Sequence, residues 1–165
     1  MSVKRTCGSC TLCCKTMSIP EIAKPAHRWC DHCTIGKGCN IYCERPTPCR
    51  EFECVWLQDT RGLLDKSMRP DRIKVVLQPT TDGTGLVAHC DPSTPLAWRS
   101  PKVLSLLRAF ARAGHHANAR AGDRYWVITS RTEWPVPDEY LVRGPNERVD
   151  VRIPDDIAIA IGVRT

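Results

Sequence analysis

Residues 73–90 read IKVVLQPTTDGTGLVAHC, and the fold class follows from them. The runs 73–77 (IKVVL) and 86–89 are rich in aliphatic and β-branched residues and predict two strands. Between them, PTTDGTG sets Asp82 directly before Gly83, a pair suited to the positive φ angles of a tight hairpin turn. An antiparallel hairpin is expected here, with a sheet built on it.

The pattern continues downstream. Ser100 followed by Pro101 predicts a helix start, an N-cap residue before a proline at the first helical position. Val103, Leu104, Leu107, Phe110 and Ala111 recur at helical spacing as far as Gly114, a candidate C-cap. Residues 125–129, 140–142 and 149–153 alternate as strands, and 155–161 reads as a short terminal helix. Residues 58–72 form a connector with one helical turn. The expected fold class is α+β, with residues 58–165 forming an antiparallel sheet and one main helix packed on it.

Upstream the composition changes. The chain has 165 residues and eleven cysteines, about 7%, below the ~8–10% of a disulfide scaffold. Ten of the eleven lie between Cys7 and Cys54, however, so residues 1–57 form a cysteine-dense, loop-rich module. Such a module buries too little apolar surface to fold unaided and draws its stability from metals or disulfides. MSVKRTCGSC lacks the apolar run of a secretory signal, and no stretch approaches the ~18 apolar residues of a membrane span. A cytoplasmic location is expected, where thiols stay reduced. An odd cysteine count also fits poorly with complete pairing. Metal ligation is the leading reading.

Spacing supports it. Cys7/Cys10, Cys10/Cys13 and Cys30/Cys33 each enclose two residues, a gap that lets one turn aim two sulfurs at one ion. Were residues 7–14 helical, Cys7 and Cys14 would lie about 10 Å apart along the axis. Zinc–sulfur bonds are only ~2.3 Å, so one ion could not use both. Adjacent Cys13 and Cys14 point apart in the same way. Two ions, or a cluster, are therefore expected to join segment 7–14 to segment 30–54.

CGSCTLCC at 7–14, the run from Cys30 through Cys39 to Ile41-Tyr42, and ERPTPCREFEC at 44–54 resemble the CxxCxxCC zinc- or iron-chelating domain family. These are the YkgJ-like cysteine cluster proteins, which are mostly bacterial. The resemblance covers about a third of the chain. It implies metal chelation by Cys7, Cys10, Cys13, Cys14, Cys30, Cys39, Cys49 and Cys54. Gly38, Ile41, Tyr42, Arg45, Pro46 and Arg50 match the rest of the pattern. Cys33 and Cys43 stand where the family carries an apolar and an acidic residue, and are additional ligand candidates.

The remaining candidates are weighed singly. Cys90 is isolated and reads as a buried structural thiol. His27 and His32 flank Cys30 and are substitutes for a thiolate, or else capping or solvated groups. His115 and His116 follow the helix end and suit its dipole. Arg45 and Arg50 either offset the negative charge of a thiolate site or belong to the ordinary surface. Trp29 and Trp56 bracket the second cysteine group and would shield it from water. Asp91, Trp98 and Arg99 share a proline-rich loop, the best candidate for a second functional surface.

Function classes narrow accordingly. The net charge of +6 is spread over the chain, without the clustered Lys/Arg of a nucleic-acid footprint, and no known finger spacing is present. A surplus of thiols argues against an open catalytic metal site. Zinc, about two ions, is the expected cofactor, in a largely structural site. Iron or an iron–sulfur cluster, serving electron transfer or redox sensing, is the alternative. The partner expected is a protein or small molecule, of unspecified kind.

Overall fold

The structure is a computed structural model and describes residues 3–80 and 82–163. The cysteine-rich segment holds α1 (Leu12–Thr16), a two-stranded hairpin of β1 (Cys33–Thr34) and β2 (Gly38–Cys39), α2 (Thr47–Glu51) and α3 (Val55–Gln58). After α4 (Pro70–Ile73) come β3 (Val75–Pro79), β4 (Gly85–Cys90), α5 (Pro101–Arg112), β5 (His116–Ala121), β6 (Arg124–Ile128) and β7 (Glu133–Pro135). A second hairpin, β8 (Leu141–Arg143) and β9 (Val149–Val151), and α6 (Asp155–Ala160) follow. The α+β class holds.

The sheet differs from expectation in two respects, and the first is that the strands expected at 140–142 and 149–153 pair only with each other, in a separate two-stranded sheet. The second lies in the main sheet: its order is β3-β4-β5-β6-β7, and β4 pairs with β5 in parallel while the other pairings are antiparallel. The sheet is mixed. A parallel pair needs a crossover, and α5 supplies it, running back over the sheet between β4 and β5. Gly85 lies beside His116 in this pair. A Cβ there would meet the His116 carbonyl oxygen at 2.7 Å, so the approach of the two strands requires glycine.

The register defines two faces. Leu77, Ala88, Ala119 and Trp126 are successive cross-strand partners, and all are buried with Val103 and Leu107 of α5. Small Ala88 and Ala119 at the sheet centre let α5 lie close. Ser100 stands at the N-cap of α5, but its hydroxyl makes no capping bond and is buried without a partner. The helix is therefore held by packing of its apolar stripe.

Trp98 and Asp91 are not a free functional surface. Trp98 is wholly buried against Trp126, ring centroids 5.5 Å apart. Asp91 pairs with Lys15 of α1 at 2.7 Å, and Arg99 pairs with Glu133 at 3.1 Å. The loop is occupied in fastening the core. His115 packs on Phe110, and His116 opens β5 rather than capping a helix.

The cysteine-rich segment rests directly on this domain. Leu12, Cys54 and Trp56 belong to the same buried cluster as Val75, Val76 and Leu86. Arg5 clamps the junction: it pairs with Asp59 at 2.7 Å and stacks 3.6 Å from the Trp56 ring centre. Among the described residues no helix is long and apolar enough to cross a membrane.

Candidate metal centre

All eleven cysteines carry free thiols. Two local turns organise them. Residues 7–14 are not one helix: Cys7 to Cys10 form a turn closed by the Cys10 N–H donating to the Cys7 carbonyl at 2.8 Å. Gly8 sits in that turn at φ +52, a conformation glycine adopts without a Cβ penalty. Helix α1 then starts at Leu12 and carries Cys13 and Cys14. The second turn, Cys30 to Cys33, is closed in the same way at 3.0 Å, and the Cys30 N–H donates to the Cys14 carbonyl at 3.0 Å. Cys39 lies opposite Cys33 in the β1–β2 hairpin. Cys49 is on α2, and Cys54 immediately precedes α3.

These turns enclose a cavity of about 610 Å³. Cys7, Cys10, Cys13, Cys14, Cys30, Cys39, Cys49 and Cys54 all line it. They are the eight cysteines singled out in the sequence. Cys33 does not line the cavity, although it interacts with Cys14. Cys43 is exposed in a 3-10 turn, and Cys90 is fully buried in the sheet core away from the cavity. A larger, open cleft of about 900 Å³ lies elsewhere, beside Asn118, Val127 and Arg148, and has no cysteine in its wall.

The other sequence candidates divide. Arg45 lines the cavity, lies 3.7 Å from the Tyr42 ring centre and donates to the Tyr42 carbonyl at 2.9 Å. Arg50 is exposed and donates to the Thr47 hydroxyl. Trp56 is in the wall, whereas Trp29 lies outside it near Lys15. His32 reaches the cavity from an exposed position; His27 does not. Lys24 was not among the sequence candidates. It is 7% exposed, its ammonium donates to the Lys15 and Met17 carbonyls, and its charge acts on Cys13, Cys14 and Cys30. Nothing in the run EIAKPAH distinguishes this lysine from a solvated one.

Electrostatics define the state of the thiols. Burial pushes Cys7, Cys10, Cys49 and Cys54 above the ordinary thiol range. Arg45 opposes the rise at Cys7 and Cys49, and the amides of Leu57 and Trp56 oppose it at Cys54. Cys14 is raised by its hydrogen bond with Cys13, then by burial. Cys33 is pushed up to about 12, by burial and then by Cys14. Crowded buried thiols resist ionising because each thiolate would be a desolvated anion beside its neighbours. A cation among them reverses that balance, since a bound metal deprotonates a coordinating thiol outright.

The thiols act on one another throughout: Cys54 with Cys10 and Cys7, Cys49 with Cys14, Cys30 and Cys39, and Cys14 with both Cys7 and Cys13. Cys10 and Cys13 both pack against the core cluster that contains Cys54. Among the described residues, no three Cys, His, Asp or Glu side chains are arranged as a formed metal site. The donor set itself, eight soft sulfurs around one cavity with two nearby cations, fits zinc or an iron–sulfur centre. Comparison with family models, curated proteins and solved structures finds no match to this chain.

Proposed function

We propose that the protein is a metal-binding protein of the CxxCxxCC, YkgJ-like kind, and that its cavity takes two zinc ions in a largely structural role. One observation carries the reading: eight of the eleven cysteines line a single cavity, and they are the eight that match the family pattern. Eight thiolates are enough for two closed tetrahedral sites of four each. Residues 1–57 are then a metal-dependent module and residues 58–165 the domain that supports it.

Zinc would neutralise the thiolates and fix the two turns. Arg45 and Lys24 offset the excess negative charge of eight thiolates around two divalent ions. Those ions and thiolates also lower the formal charge of +6 by four, which weakens any case for nucleic acid. A reduced, cytoplasmic setting suits this chemistry. The second reading, an iron–sulfur centre for electron transfer or redox sensing, rests on the same donor set and predicts a coloured protein.

Thiol footprinting tests the proposal. The purified chain is treated with iodoacetamide before and after a strong chelator, and the modified peptides are read by mass spectrometry. Cys43 should react at once in both samples. The eight cavity cysteines should react only after chelation. Cys90 should stay slow until the chain unfolds. Equal reaction of the eight with and without chelator would remove the metal reading.

A further inference from the structure

A second polar cluster lies on the sheet face opposite α5, outside the cysteine cavity. His89, Arg120 and Tyr125 are successive cross-strand partners on β4, β5 and β6, so their side chains share one face. Two loops close over them. Arg120 Nη1 donates to the Glu147 carbonyl at 3.3 Å, and the Glu147 carboxylate accepts the Ala26 N–H at 2.7 Å. This brings His27 over the row, where the charges of Arg120 and Glu147 act on it, and His27 in turn acts on His89. His27 and Glu147 both have left-handed backbones, φ 62 and 60. Such strain in non-glycine residues persists where surrounding contacts impose it, and it concentrates at functional sites.

The cluster is short of partners. Both ring nitrogens of His27 and the Tyr125 hydroxyl are buried with no hydrogen bond, and Tyr125 is only 7% exposed. Arg120 bonds carbonyl oxygens alone, those of Gly122 at 3.2 Å and Glu147. Among the described residues it has no carboxylate in ion-pair reach. The acids nearby are engaged elsewhere: Glu147 with Ala26, and Asp123 with Arg143 at 3.4 Å. Lys24, the other cation acting on His27, is turned to the Lys15 and Met17 carbonyls. Burial lowers both imidazoles below the ordinary histidine range, His89 down to about 3.

Buried polar atoms find partners in folded proteins. A neutral imidazole needs one acceptor and one donor, a tyrosine hydroxyl can donate, and a guanidinium has donors only. A cation, repelled by Arg120, does not meet that set. An oxyanion that still carries a proton does. Its oxygens accept from Arg120, Tyr125 and an imidazole N–H, and its hydroxyl donates to the unprotonated imidazole nitrogen.

We propose that His27, His89, Arg120 and Tyr125 bind a small proton-bearing oxyanion of the hydrogen-phosphate or hydrogen-carbonate class. The test uses the full chain as purified, in a buffer free of both anions. Sodium phosphate and sodium bicarbonate are titrated separately by calorimetry, with ¹⁵N spectra of the histidine side chains recorded in parallel. Saturable binding of either salt with shifts at His27 and His89 is the expected result, and the tighter salt identifies the ligand. Arg120→Gln should weaken it at least about tenfold, the loss of one charge-assisted hydrogen bond. Tyr125→Phe, which keeps the ring under Arg120, should weaken it several-fold, and it decides the matter if Arg120→Gln fails to fold. Unmoved histidine signals with both salts would overturn the proposal and leave water as the partner of these atoms. So would unchanged affinity in Tyr125→Phe.

Discussion

Replacing Trp98 with alanine should cost about 3–5 kcal/mol of stability, the range for deleting a large buried aromatic side chain. At roughly 2–4 °C per kcal/mol for a chain of this size, thermal unfolding should fall by about 6–20 °C. The expectation rests on position. Trp98 has no exposed surface, packs at a tilt against Trp126 and meets Val103 and Leu107 in the core beneath α5. It joins the loop after β4 to the sheet and helix together, so no neighbour can collapse into its space without moving one of three elements. Trp98→Phe should cost much less. It keeps part of the ring and removes an indole N–H that is buried without a partner. Thermal melts of the three proteins, followed by circular dichroism, measure the order. Equal losses in the two variants would mean that the ring volume is not what holds this junction.

Chelation should have a larger effect, and a local one. Structural zinc contributes apparent binding free energies of about 10–16 kcal/mol in small zinc modules, comparable to the ~5–15 kcal/mol that holds an entire domain folded. Removing it should return eight thiols to a cavity with little else to define it. Amide exchange gives the readout. Protection should vanish at Cys10, Cys30 and Cys33, whose N–H groups close the two turns and tie Cys30 to Cys14. It should persist at Ala88 and Ala119, which lie in the buried sheet core. None of the eight cavity cysteines takes part in the pairing of the five-stranded sheet. Retained protection at Cys30 and Cys33 in a chelator-treated sample would show that the turns stand without metal.

The sequence was informative where pattern and chemistry coincide. The β3–β4 hairpin was legible from its two β-rich runs and from Asp82-Gly83, and α5 from its stripe and Pro101. Cys7, Cys10, Cys13 and Cys30 were legible from two-residue gaps, which constrain a turn whatever surrounds it; Cys14, Cys39, Cys49 and Cys54 came from the resemblance to the cysteine-cluster pattern, and Cys33, which shares such a gap, does not line the cavity. Strand β5 was not. Its sequence, HANARA, is built on alanine and arginine, which have little strand preference. It becomes a strand because α5 delivers it beside β4, a tertiary effect that no local run expresses. The same hidden strand makes the sheet mixed. Tyr125 and His89 looked unrelated for that reason, being 36 positions apart and joined only through Arg120 on β5. Lys24 and the Asp91–Lys15 pair were hidden likewise, since a charged residue's burial depends on what folds over it.

Metal content tests the central claim most directly. The chain is purified without oxygen, its metals are counted by mass spectrometry against protein concentration, and its visible spectrum is recorded. A colourless protein with about two zinc ions per chain, matching four thiolates for each ion, is the expected result. A brown protein with iron and sulfide would replace zinc by an iron–sulfur centre in the same cavity. Well under one metal ion of any kind per chain would contradict the metal-binding reading altogether.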